Sequence, residues 1–171
     1  MFVDGPPEIL YTTISIGYYS IQMKVSSKTD YALRTLLDLG LHYGEGVIPL
    51  GDMARRQAIP KRFLEQILIL LKSAGMVNSA RGMKGGYTLS RKPSEISLAS
   101  IVAVTEQGLI TRENRLKGQW SGTESVNEQP MREIWDEISD DVWQKLENRT
   151  IEDLCRRVKE LSASRVPDYA I

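Results

Sequence analysis

Between residues 61 and 66 the chain sets an ammonium, a guanidinium, a carboxylate and a carboxamide, as Lys61, Arg62, Glu65 and Gln66. Arg and Gln can hydrogen-bond purine edges, and Glu can accept from the amino group of cytosine. Lys61 and the pair Arg55-Arg56 suit phosphate oxygens, which fix register without reading sequence. A second basic feature follows, with Arg81 and Lys84 set among Gly82, Gly85 and Gly86. Glycines let a backbone approach closely, and arginine is the usual probe of a narrow minor groove. Taken singly, these features have plainer readings: a wet helix face for Arg62, Glu65 and Gln66, and an ordinary hairpin turn for residues 82–86. Their force lies in the conjunction.

The surrounding elements decide whether these groups can act together. Tyr31, Ala32, Leu36 and Leu39 recur at three- and four-residue steps, which predicts a helix with Thr29 as N-cap and Gly44-Glu45-Gly46 as its end. Residues 47–50 read as a short strand and 52–57 as a short helix, broken at Ile59-Pro60 because proline disfavours helical geometry in the preceding residue. A longer helix starts at Pro60, with Phe63, Leu64, Ile67, Leu68 and Leu71 as its buried stripe and Gly75 as its stop. Residues 76–81 and 87–90 then read as two strands joined by the glycine-rich tip. Helix, strand, helix, turn, helix and basic hairpin is the order of a winged helix-turn-helix. It would put Lys61, Arg62, Glu65 and Gln66 at the N-terminal part of a helix that can enter a major groove.

Further along, Ser97 caps a helix to about residue 106. Residues 107–130 are polar and aperiodic and read as a loop, long enough to expect a function in it. Met131, Trp135, Ile138, Val142 and Leu146 mark a long amphipathic helix. Thr150 with Asp153 resembles a capping box, opening a last helix with Ile151, Leu154, Val158 and Leu161 inward. Residues 1–23 show no clean period and are expected to be a start-site artefact or a flexible arm, with a natural beginning at Met23-Lys24-Val25.

Composition narrows the classes. The 171 residues carry no net charge, yet residues 24–92 hold twelve Lys/Arg against five Asp/Glu, and residues 93–171 hold ten against fifteen. The first stretch attracts a polyanion and the second does not. No apolar run approaches the roughly 18 residues that span a bilayer. The single cysteine, Cys155, and the single histidine, His42, leave no disulfide framework or zinc site. His42 reads as a satisfied surface or core residue. Cys155, on the apolar face of the last helix, reads as inert, with a redox-sensing role as the lesser alternative. No Ser/His/Asp set or phosphate-binding glycine loop supports an enzyme.

The runs 63–68 (FLEQIL), 71–77 (LKSAGMV) and 79–89 (SARGMKGGYTL) strongly resemble the Rrf-two (IscR-like) family of winged-helix transcriptional regulators. Residues 29–34 and 96–102 look like the same family's first and fourth helices, and the similarity covers about residues 23–107. The resemblance implies operator binding by a homodimer whose long fifth helices pack together, here residues 131–146. It also implies base readers at Glu65 and Gln66 and a minor-groove arginine at Arg81. Pro60 and Arg62 stand where family members often carry small hydroxyl residues, so a different base sequence is expected. Many members hold an iron–sulfur cluster through three cysteines between the fourth and fifth helices. Residues 107–130 contain none, so the chain resembles the cluster-less branch and no cofactor is expected.

The expected fold is mainly α with a small β-wing: a winged helix-turn-helix domain over 24–107, a loop over 108–130, dimerisation helices over 131–163 and a tail over 164–171. The expected function is a cytoplasmic, sequence-specific regulator that binds double-stranded DNA as a homodimer on a pseudo-palindromic operator, with a small-molecule or protein effector and no membrane partner. The alternative is a winged helix that binds a protein, which should expose apolar residues where Lys61, Arg62 and Gln66 are polar.

Overall fold

Hydroxyl residues and prolines open the helices that build the fold: Ser26, Pro49, Pro60, Ser97 and Thr150 are N-caps. The computed structural model describes residues 11–16, 19–82, 85–106 and 128–164. Two strands, β1 (Tyr11–Ile16) and β2 (Tyr19–Lys24), are followed by α1 (Ser27–Leu41), α2 (Leu50–Gln57), α3 (Lys61–Ser73), β3 (Val77–Ala80) and β4 (Gly86–Leu89). A short 3-10 turn at Pro93–Glu95 leads to α4 (Leu98–Thr105), then α5 (Glu128–Glu147) and α6 (Ile151–Ala163).

The N-cap of α1 is Ser26, whose hydroxyl accepts from the Thr29 N–H at 3.2 Å, and not Thr29 as the sequence suggests. Thr29 is buried one turn inside, where its hydroxyl needs a partner. It finds two beyond the end of α4 and within it: Thr105 Oγ1 at 2.6 Å and Glu106 Oε1 at 2.5 Å. Hydroxyls three residues apart fit a cap equally well on spacing, and burial decides between them.

Proline and glycine place α3 as expected. Pro60 is its N-cap. At the other end Gly75 takes a positive φ of 68°, while Met76 N–H donates to Leu71 O and Gly75 N–H to Lys72 O. That paired closure is the Schellman arrangement, which needs a residue without a Cβ at the turn. Leu64, Ile67, Leu68 and Leu71 are buried. Phe63 is not: it is 39 % exposed and its ring lies 6.4 Å from that of Tyr31. The five-residue stripe expected to be buried is wider than the face the core covers, and Phe63 falls at its edge.

The wing is the antiparallel pair β3–β4, in register from Val77↔Leu89 to Ala80↔Gly86. The strand expected over 47–50 is a single bridge in which Ile48 and Tyr87 exchange both backbone hydrogen bonds at 2.9 Å. Pro49 has no N–H to extend the ladder.

One core unites these elements. Leu36 and Leu39 of α1, Met53 of α2, Leu64 and Leu68 of α3, Val77 of the wing and Ile101 of α4 form a single cluster. Ile151 and Cys155 of α6 belong to it as well. Gly40 makes that possible, because a Cβ there would stand 2.8 Å from Ile151 Cγ2 and 2.9 Å from Cys155 Sγ. The start of α6 is fixed by the expected capping box, Thr150 N–H to Asp153 Oδ2 at 2.9 Å and Asp153 N–H to Thr150 Oγ1 at 3.3 Å. Backbone bonds from Leu98 N–H to Arg149 O and from Ile151 N–H to Ile96 O join the starts of α4 and α6.

Ahead of α1, β1 and β2 pair antiparallel with Ile14 opposite Ile21. The sequence reading found no period there, yet Ile14/Ile16 and Tyr19/Ile21/Met23 alternate with period two, in a segment rich in residues that favour strands. Among the described residues, no helix is long and apolar enough to cross a membrane.

Candidate nucleic-acid interface

The outer face of α3 follows from its inner one. At roughly 100° per residue, a helix buried through Leu64, Ile67, Leu68 and Leu71 must turn Arg62, Glu65 and Gln66 away from the core. All three are exposed, as is Lys61 at the helix start. The four expected reader and phosphate residues are thus brought together on one rigid element. Lys72, near the other end of α3, donates to Ser79 Oγ at 2.6 Å and ties the helix to β3 of the wing.

Arg81 is exposed just beyond β3. Lys84 lies outside the described residues. The two arginines of α2 part company. Arg55 is 77 % exposed and pairs with Asp52 of the same helix at 2.6 Å. Arg56 turns to Asp38 of α1, giving Nε to Oδ1 at 3.0 Å and Nη2 to Oδ2 at 2.7 Å. Asp38 also accepts from Gln57 Nε2 at 3.1 Å. Its side chain is 2 % exposed against 38 % for that of Arg56. Donating to the Asp38 carboxylate raises the Arg56 pKa above its ordinary value, against a smaller opposing effect of burial. Arg56, expected only at phosphates, is therefore committed first to α1.

Sequence reasoning passed over Asp38, which sits between Leu37 and Leu39 and interrupts an apolar run. That interruption was the available signal, since a carboxylate among core positions must be paired. His42 is satisfied, with Nδ1 2.8 Å from Asp38 O at the end of α1. A second missed group is Glu106. Burial alone would raise its pKa, but hydrogen bonds from Ser26 and Thr29 outweigh burial and hold the carboxyl below the ordinary glutamate range.

The stripe on α5 is unlike a core stripe. Trp135 is 61 % exposed, and Ile138 and its neighbour Ile134 are exposed too. Val142 and Leu146 are half-buried. Met131 lies within α5, and its side chain is outside the described set.

A family model described as Rrf2, an iron-dependent transcriptional regulator, matches residues 25–157. The chain belongs to the Rrf2 family of transcriptional regulators. It is 36 % identical over 118 residues to the HTH-type transcriptional regulator IscR of Aliivibrio salmonicida, covering 68 % of this chain and 70 % of that one. The IscR of Pectobacterium carotovorum is 31 % identical over 150 residues, covering 87 % and 89 %. Among solved structures, CymR, the global cysteine regulator of B. subtilis, superimposes with a TM-score of 0.66 at 32 % identity over 79 % of this chain and 98 % of that one. The IscR of T. potens gives 0.63 at 30 % identity over 84 % and 92 %. The mainly α fold with a small β-wing is that of these regulators.

The donor set of this Rrf2 chain does not fit an iron–sulfur cluster, which is held chiefly by several thiolates. The sequence has one cysteine. Cys155 is buried against α1, and desolvation pushes its thiol pKa up, away from the thiolate a metal needs. Among the described residues, no group of three or more His, Cys, Asp or Glu side chains could hold a metal ion.

Proposed function

We propose that this Rrf2 regulator binds double-stranded DNA as a homodimer, one winged helix on each half of a pseudo-palindromic operator, and that it acts in the cytoplasm without catalysing a reaction. The observation that carries the reading is the outer face of α3, where Arg62, Glu65 and Gln66 stand exposed, turned away from the buried face. A helix locked by its inner face presents those groups in a fixed geometry, as base reading requires. Lys61, Arg55 and the outward part of Arg56 supply phosphate contacts, and Arg81 and Lys84 reach the minor groove from the wing.

The second copy is supported by α5. Exposed Ile134, Trp135 and Ile138 would sit in water in a monomer, and a large exposed apolar patch marks an interaction site. A two-fold dimer buries the same patch from both chains through Met131, Trp135, Ile138, Val142 and Leu146 and matches the symmetry of a palindrome. The signal that controls it is a small molecule or a protein, and the segment between α4 and α5 is the place to look; the loop expected over 107–130 ends earlier, because α5 already begins at Glu128. Residues 107–127 of that segment lie outside the described residues. The rival reading, a protein-binding winged helix, is disfavoured by the charge on the reading face.

Selection of bound duplexes from a randomised pool by the purified protein tests the proposal, with affinity repeated over a range of salt. One recovered pseudo-palindrome and a steep fall of affinity with salt are expected. Weak, sequence-blind binding would reject specific operator recognition and favour the rival.

A further inference from the structure

Ile69 is the most exposed large hydrophobic side chain among those described, at 70 %. It does not lie at random on α3. At roughly 100° per residue it points within about 20° of Arg62, between Glu65 and Gln66, and nearly opposite Leu71. Arg62, Glu65, Gln66 and Ile69 follow the spacing i, i+3, i+4, i+7, the one by which a helix lays four side chains along a single groove. The rise of 1.5 Å per residue puts Ile69 about 10 Å beyond Arg62 along the axis, roughly three base steps at 3.4 Å each. Its side chain leans back toward the N-terminus of the helix, toward Glu65 and Gln66.

We propose that Ile69 is a specificity-determining residue of this chain, packing against the 5-methyl group of a thymine in the major groove. The inference rests on the operator-binding reading above. Thymine is the one base that presents a methyl group there, and aliphatic side chains recognise it by apolar contact. Water must leave Ile69 and the methyl together, so the contact favours T over C at that position without any hydrogen bond. Among the described residues nothing covers Ile69, which is 70 % exposed because the core lies on the other side of α3. The polar readers would then specify two or three positions and Ile69 the next one along.

The test uses the selected operator with each thymine in turn replaced by deoxyuridine, which removes one methyl and leaves every hydrogen-bonding group in place. Wild-type protein should bind one substituted site per half-operator about three- to fivefold more weakly, the loss expected for one buried methyl. Ile69→Ser should bind the thymine and deoxyuridine versions of that site equally, with Tm unchanged because the side chain supports no packing. A wild type indifferent to deoxyuridine at every position would overturn the proposal, and so would a penalty that persists in Ile69→Ser. Sequence-blind binding by the wild type would instead overturn the operator reading and Ile69's role together.

Discussion

Arg56 and Asp38 form a two-pronged pair that crosses from α2 to α1, with the carboxylate almost wholly buried and the guanidinium half open to water. Such a pair fixes one helix on another more firmly than an apolar contact, since its geometry tolerates little sliding. It also makes neighbouring arginines unequal. Arg56→Ala would strand the Asp38 carboxylate in the core with only Gln57 as partner, at a cost of about 2–3 kcal/mol, below that of a fully buried pair because Arg56 is partly solvated. Arg55→Ala, which removes a surface pair within one helix, should cost about 0.5 kcal/mol or less. Urea denaturation of the two variants checks this, and equal midpoints would mean that the buried pair contributes nothing.

The wing makes a separate contribution. Arg81→Ala should weaken operator binding while leaving Tm unchanged, because the residue is exposed beyond β3. The loss should concentrate on operators with A·T-rich flanks, whose narrow minor groove attracts arginine. Affinities on A·T-rich and G·C-rich flanks, measured side by side, read it out. An unchanged pair of affinities would remove the wing from the interface.

Trp135→Asp places a charge in the middle of the exposed apolar stripe of α5. If two copies meet there, burying it is prohibitive, and sedimentation at micromolar concentration should show monomers where the wild type shows dimers. Because Trp135 is not part of the core, the circular dichroism spectrum should not change. A variant that remains dimeric would move the interface elsewhere.

Glu106 ties the end of α4 to the start of α1, and its carboxyl titrates below the ordinary range. A depressed folded pKa stabilises the fold above the unfolded value of about 4.3, and that stabilisation is lost as pH falls through the folded value. Glu106→Gln should therefore lower Tm at pH 7, and the difference from wild type should shrink as pH is taken down toward 3. A gap independent of pH would assign the effect to shape rather than to charge.

Much of this protein is legible before any coordinates. The inner stripe of α3, its Gly75 stop and the box at Thr150 are local patterns whose geometry depends on residues a turn apart. What escapes the sequence depends on distance. Asp38 and Arg56 meet across 18 residues, and Thr29 and Glu106 across 77; Asp38 shows locally as a carboxylate in an apolar run, but neither partner can be read from the neighbouring sequence. Ile69 falls outside the buried stripe on helical period, but an aliphatic side chain among aliphatic ones draws no attention until its exposure is seen. The stripe on α5 is ambiguous in the same way, since spacing predicts an apolar face without saying whether the chain itself covers it. The strands ahead of α1 rest on a two-residue alternation over only a few residues each, too short to stand out as a period.

Gly40 and the α6 residues it admits have a consequence for the order in which the molecule comes into being. Ile151 and Cys155 complete a core whose other members lie between Ala32 and Ile101. During synthesis α1 to α4 and the wing leave the ribosome before α5 with its exposed apolar stripe, and only afterwards comes the segment that seals the interior. For that interval the nascent chain displays both an open core and the exposed apolar stripe of α5. A stop codon shortly after residue 147 would thus do more than trim a tail: it would leave the protein permanently in that unfinished state, prone to associate before it has folded.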